Sequence, residues 1–209
     1  MRKIFLATLF ALMMSFQSLC GAQATVESSN FGGKEQIIYP IVHTGNAAVD
    51  KKINSVIDGL TQNFLMEVKT DRREHGINIT VERTNFQVMC NDAKKSNVLS
   101  IILSQSKYGS NGPAHPTNYA HALTFDLTTG ERLTTSDLAK FGYGDSNSLF
   151  QKLSLKLEEF NANRELKASK VTSLPENFYF DEDFHLHFLF EQNSIAHYAF
   201  GAIDIDIQN

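Results

Sequence analysis

Cysteine is scarce in this chain, with two in 209 residues, and one of them, Cys20, falls in a leader-like stretch at the start. Loss of that leader leaves Cys90 alone, so no intramolecular disulfide can staple the fold even in an oxidising compartment. Stability has to come from a packed core. Basic residues are also in the minority. Removing Arg2 and Lys3 from the 19 basic residues leaves 17 against 23 acidic, a formal charge of −6. No Lys/Arg stripe concentrates positive charge, which argues against a nucleic acid or an anionic membrane as partner. A basic partner suits the charge better. Beyond the first apolar run, no segment is long enough to cross a bilayer, and no repeat or low-complexity tract occurs. There is no G-x-S-x-G, no glycine loop to cradle phosphate and no H-E-x-x-H.

What is present begins with Arg2 and Lys3, an apolar run from Ile4 to Phe16 and a small-residue stretch ending Ala22-Gln23-Ala24. The run falls short of the ~20 residues a spanning helix needs. The three zones together read as a secretory signal peptide over residues 1–24, cut after Ala24. An extracytoplasmic location follows, periplasmic or secreted, with no integral membrane segment after cleavage. Residues 25–35 are small and polar and read as a flexible lead-in. Residues 36–209 suffice for one domain with a sizeable core.

Within that domain, Gln36 to Val42 reads as a strand and Asn46 as a helix N-cap. Val49, Ile53, Val56, Ile57, Leu60, Phe64 and Val68 then recur at spacings of three and four, the stripe of an amphipathic helix facing a core. Ile77, Ile79 and Val81 alternate, Val98 to Leu103 forms a second strand-like run, and Tyr119, His121, Leu123, Phe125 and Leu127 share one face of a third. Thr128-Thr129-Gly130 is a turn. Thr134 to Lys140 predicts a short helix, and Leu149 to Phe160 a longer one capped by Asp145 or Ser146. Phe184, Leu186, Phe188 and Phe190 point one way and His185 and His187 the other, while Ile203, Ile205 and Ile207 alternate with Asp204 and Asp206. Both runs predict half-buried strands with one wet face. The order implies an α+β fold, a mainly antiparallel sheet covered by helices.

Two sets of residues have chemical potential. His185-x-His187 and Asp204-x-Asp206 lie on outer strand faces that a hairpin across Ser194 to Gly201 would bring together, and two imidazoles with a carboxylate can hold zinc with an open position. Ordinary His/Asp pairing on a solvated face gives the same pattern, so the expectation is no bound metal and no cofactor. The second set is the Gly/Pro loop from Tyr108 to Pro116, which presents Tyr108, Asn111 and His115 as binding residues. A lone Cys90 reads as a small buried residue.

Gly112-Pro113-Ala114-His115-Pro116, then Leu123-Thr124-Phe125-Asp126-Leu127-Thr128-Thr129-Gly130-Glu131-Arg132-Leu133-Thr134 and Asp137-Leu138, resemble the extracytoplasmic domain of RsiV-type anti-sigma factors. Tyr39-Pro40 and the closing segment from Phe184 to Ile207 fit the same likeness. It implies a domain of unknown function found in envelope proteins, whose best understood type senses lysozyme by binding it and whose relatives accompany peptidoglycan deacetylases. The expected function is therefore a non-enzymatic module that binds a lysozyme-like muramidase or peptidoglycan fragments. The alternative is a cell-wall hydrolase or deacetylase using a His-based or metal site. The sequence departs from the sensor in having no spanning helix after the leader and no cytoplasmic sigma-binding segment.

Overall fold

The computed structural model describes residues 23–33, 36–93, 96–162 and 171–208. The signal-peptide reading of residues 1–24 falls almost wholly outside them. Helix α1, Ala47–Glu74, starts where the sequence places it. Asn46 is the cap, its side chain accepting from the Ala48 N–H at 3.0 Å, and Asp50 in the first turn and Arg72 and Arg73 in the last complement the helix dipole. Its stripe buries Val49, Ile53, Ile57, Phe64 and Val68.

Among the described residues the strands form three antiparallel sheets. β1 (Thr25–Asn30) pairs with β2 (Ile38–His43); β3 (Ile79–Asp92), β4 (Val98–Gly109) and β5 (Thr117–Asp126) form the central sheet; β6 (Phe178–Phe180), β7 (Leu186–Phe190) and β8 (Ile203–Ile207) form another. The fold is α+β. Residues 25–30, expected as a flexible lead-in, are instead strand β1, because their backbone pairs along the whole of β2, from Thr25 opposite His43 to Asn30 opposite Ile38. The short helix expected near Thr134 is a 3-10 helix, Thr135–Phe141, and helix α2 runs Ser146–Ala162 with Asp145 accepting from the Asn147 and Ser148 N–H groups.

The layers follow from which face each side chain takes. One face of the central sheet carries Leu99, Ile101, Leu103, Leu123 and Phe125, which pack against Val49, Ile53 and Ile57 of α1. Ser100, Ile102, Ala122 and Thr124 alternate onto the opposite face. The β6–β7–β8 sheet lies on that second face: Thr124 Oγ1 donates to the Phe178 carbonyl at 2.9 Å, the Phe180 N–H donates to Ser100 Oγ at 3.0 Å, and Tyr179 and Leu189 bury against Ala122. The far face of this sheet, with Phe178, Phe180, Leu186, Phe188 and three isoleucines of β8, packs on Leu149 and Leu153 of α2. At roughly 25 cal/mol per Å² of apolar area, these three interfaces supply the driving force that no disulfide does.

This stacking corrects two sequence readings. The face of β7 bearing His187 is not wet, because it turns toward the central sheet; the His187 side chain is 15% exposed, and Leu189 on the same face is buried. Phe184 and His185 lie before the strand. Phe184 takes a left-handed φ of 66° in a turn closed by bonds between Asp181 and both Phe184 and His185.

Candidate functional site

The hairpin loop joining β4 to β5 projects beyond the central sheet, and its residues divide by task. Asn111 is a brace. Its Oδ1 accepts from the Asn78 N–H at 2.6 Å and its Nδ2 donates to the Gly76 carbonyl at 2.8 Å, tying the loop to the turn after α1. Tyr108 closes β4 half-buried and lines, with His115, Lys107 and Asp71, a small cavity of about 110 Å³. His115 is exposed and stacks on Tyr198, with ring centroids 4.7 Å apart. The Tyr198 hydroxyl donates to the Pro116 carbonyl at 2.5 Å, so the stack is anchored at both ends. On its outer side, His115, Tyr198, Glu191 and Gln192 line an open cleft of about 330 Å³. The structure thus brings Tyr108 and His115 to one cavity and gives Asn111 to the scaffold. Nothing in the sequence pairs Tyr198 with His115, since it lies 83 positions away in a 3-10 turn, Tyr198–Phe200.

Beneath the loop, Lys107 is buried between α1 and the sheet, its Nζ 2.6 Å from Glu67 and 2.5 Å from Asp71. Burial alone would lower the lysine pKa, but bonds to the two carboxylates outweigh it and raise it. The Tyr119 hydroxyl donates to the same Glu67 at 2.6 Å, and burial together with that carboxylate holds its pKa well above the usual value. Lys107 and the Tyr119 hydroxyl thus share the two carboxylates in one hydrogen-bonded structural cluster.

The His/Asp constellation is also present, with a different membership. His187 Nδ1 lies 3.1 Å from Asp204 Oδ1, its ring stacks on Tyr179 at 4.7 Å, and the Tyr179 hydroxyl donates to Asp204 at 2.5 Å. His187 Nε2 lies 3.4 Å and His185 Nδ1 3.2 Å from the same oxygen of Asp181. Burial would lower the His187 pKa, but the bonds to Asp204 and Asp181 raise it on balance. Burial would raise that of Asp181, and the His185 N–H and the two histidines lower it instead. Asp206 stands opposite His187 in register but accepts from Gln208. Asp181, Asp183 and His185 offer ligand atoms all within 4.8 Å of one another, so the metal-capable trio takes only His185 from the expected four. Asp181 and Asp183 escaped the sequence reading because they sit in a turn outside any alternating run. Cys90 is buried, and burial with the nearby Asp92 raises its thiol to about 11, which leaves it protonated and unreactive at neutral pH.

The segment that carries the family resemblance is accounted for by the fold. Asp126 Oδ1 accepts from the Thr128 and Thr129 N–H groups, Gly130 turns the chain against α1, and Asp137 accepts from Thr134 at both its N–H and its hydroxyl.

No family model matches the sequence, and no curated protein matches it. Among solved structures, a DUF3298-family protein from Bacteroides fragilis superposes with a TM-score of 0.52 at 16% identity, with 90% of each chain covered. A DUF3298-family protein from Pseudomonas aeruginosa superposes with a TM-score of 0.54 at 11% identity, covering 88% of this chain and 89% of that one. At these identities the likeness is one of fold, that of a domain of unknown function.

Proposed function

We propose that this chain is a non-enzymatic binding module of the cell envelope, working outside the cytoplasm after loss of its leader, and that its ligand is a lysozyme-like muramidase or a peptidoglycan fragment. One observation carries the reading: an exposed His115–Tyr198 stack stands beside an open cleft on a loop braced by Asn111. A rigid aromatic pair at a loop tip gives contact area at low entropic cost. The resemblance to a lysozyme-sensing domain and the acidic charge agree with it, since complementary charge speeds encounter with a basic partner. The test is titration with lysozyme and with soluble muropeptides at low and moderate salt, with their turnover followed in parallel. Salt-sensitive binding without turnover, weakened by His115→Ala and Tyr198→Ala, is the expected result; turnover lost with His115→Ala overturns it.

A second reading, a wall-directed hydrolase or deacetylase, is favoured by the Asp181, Asp183 and His185 trio alone. Asp181 is already bonded to the His185 N–H and faces both His185 and His187, while Asp183 is exposed in the same turn. Purified protein is expected to hold no stoichiometric zinc by elemental analysis. Zinc at one equivalent, lost in His185→Ala with Asp181→Asn, would move the assignment to the enzyme.

A further inference from the structure

The face of the central sheet that receives β6–β7–β8 is covered along only part of its length. Toward the hairpin end the same face runs on uncovered, and its character changes from apolar to polar within one rung. Register places Asn85 beside Ser104 and Ala120 in one row across the three strands, and Arg83 beside Ser106 and Asn118 in the next. Small side chains occupy the middle, so the rows form a floor. The segment carrying Gln192, Gly201 and Ala202 makes one wall, and the hollow between is about 480 Å³, within the range of small-ligand sites.

The polar groups of this hollow are already arranged. Ser106 Oγ donates to Asn118 Oδ1 at 2.7 Å, Asn118 Nδ2 donates to Gln192 Oε1 at 2.9 Å, and Gln192 Nε2 donates to the Tyr198 carbonyl at 2.9 Å. Each amide keeps a further N–H, and Ser106 keeps its lone pairs, so the chain fixes the side chains without exhausting them. Arg83 has no ion-pair partner among the described residues, and no carboxylate of those residues lines the hollow. In a protein of net negative charge, a lone cation there is a selective feature.

We infer that this hollow is a saccharide site, and that its ligand is a glycan unit bearing a carboxylate, with Arg83 as the carboxylate anchor and Ser104, Asn118 and Gln192 bonding hydroxyls. The chemistry narrows the class. Sugar hydroxyls both donate and accept, and amides and hydroxyls can answer them in either role. Ala120, Gly201 and Ala202 leave room for the apolar C–H face of a pyranose. The guanidinium fork matches a carboxylate bidentately. A nucleic acid would need several cations to neutralise its phosphates, and one is present. The inference deepens the binding-module reading and rests on it for the carboxylate-bearing glycan chosen as probe.

Calorimetric titration of the purified protein tests it with two sugars of equal length, N-acetylglucosaminyl-N-acetylmuramic acid and N,N′-diacetylchitobiose (chitobiose below), the second lacking the carboxylate. The expected result is binding of both, the muramyl sugar more tightly. Arg83→Ala weakens the muramyl sugar by about tenfold and leaves chitobiose within twofold. Ser104→Leu, which fills the floor, abolishes both. Failure of either sugar to bind overturns the inference, as does muramyl binding untouched by Arg83→Ala and Ser104→Leu. Lysozyme or muropeptide binding that needs His115 but tolerates both hollow variants would sink the saccharide site and leave the module standing. Sugar binding at the hollow with no response to lysozyme would do the reverse for the protein ligand.

Discussion

Asp137 shows how one side chain can set a local response to acid. Its carboxylate accepts from Lys140 and from the Thr134 N–H and hydroxyl, and these bonds lower its pKa to about 2, against slight opposition from burial. A depressed carboxylate contributes its stability above the unfolded value near 3.8, and loses it as pH falls toward 2. Asp137→Asn is therefore expected to cost ~1 kcal/mol at pH 7 by urea unfolding, with the gap to the parent closing between about pH 4 and pH 2; a gap that persists there would mean the charge is not the cause. At β7 a different contrast holds. Phe188 is fully buried, and Phe188→Ala is expected to cost ~3–5 kcal/mol. His187→Ala on the opposite face is expected to cost ~1–3 kcal/mol, because it strips Asp204 and Asp181 of a shared partner and Tyr179 of its stacking ring. A near-zero cost at His187 in thermal unfolding would restore the solvated face that alternation alone suggests.

At the scale of elements, the turn after β5 depends on an absent side chain. Gly130 has a φ of 74°, and a Cβ placed on it would lie 2.8 Å from the Val49 carbonyl and 3.1 Å from Lys52 Cβ. Gly130→Ala is expected to destabilise by ~1–3 kcal/mol through both left-handed strain and the clash with α1, measured by chemical denaturation; a stabilising outcome would show that the turn and helix can part without penalty. How well the other elements could be read depended on how many of their faces were covered. α1 and β8 each bury one face, and their spacing announces it. β6, Phe178-Tyr179-Phe180, is buried on both faces, so nothing alternates. β1 carries Thr25, Glu27 and Ser28 exposed and was hidden for the opposite reason. His187 was misread because a period of two separates faces without saying what covers the second one. The loop residues Tyr108 and His115 were legible from Gly and Pro around them, whereas Tyr198 and the hollow between β3, β4, β5 and the 191–202 segment unite positions that only the completed fold brings together.

For the molecule as a whole, its beginning is more firmly built than a lead-in would be. Ala24 is buried in the cluster shared with α1, and its carbonyl accepts from Asn91 Nδ2 at 2.7 Å. Cleavage after Ala24 would discard that residue and leave Asn91 without its acceptor. Small residues also precede Ala22, as Cys20-Gly21-Ala22, so under the proposed export N-terminal sequencing is expected to begin at Gln23; a start at Thr25 would show that the Ala24 contact is dispensable, and an intact Met1 would overturn the export itself. The hydroxyl bridges between the two three-stranded sheets bear on timing. Ser100 meets Phe180 across 80 positions, and Thr124 meets Phe178 across 54, so the central sheet can form its helix-facing core while its other face waits for a distant part of the chain. Closing such long loops is entropically slow. Refolding is accordingly expected to be biphasic in stopped-flow measurements, helix signal appearing first and burial of the phenylalanine-rich layer later, with Ser100→Ala slowing only the second phase. A single phase for both signals would mean the layers assemble together. If they do not, a growing chain must keep one face of its central sheet open to water until residues near Phe180 have been made, and that interval is when it is most exposed to capture by another unfinished copy.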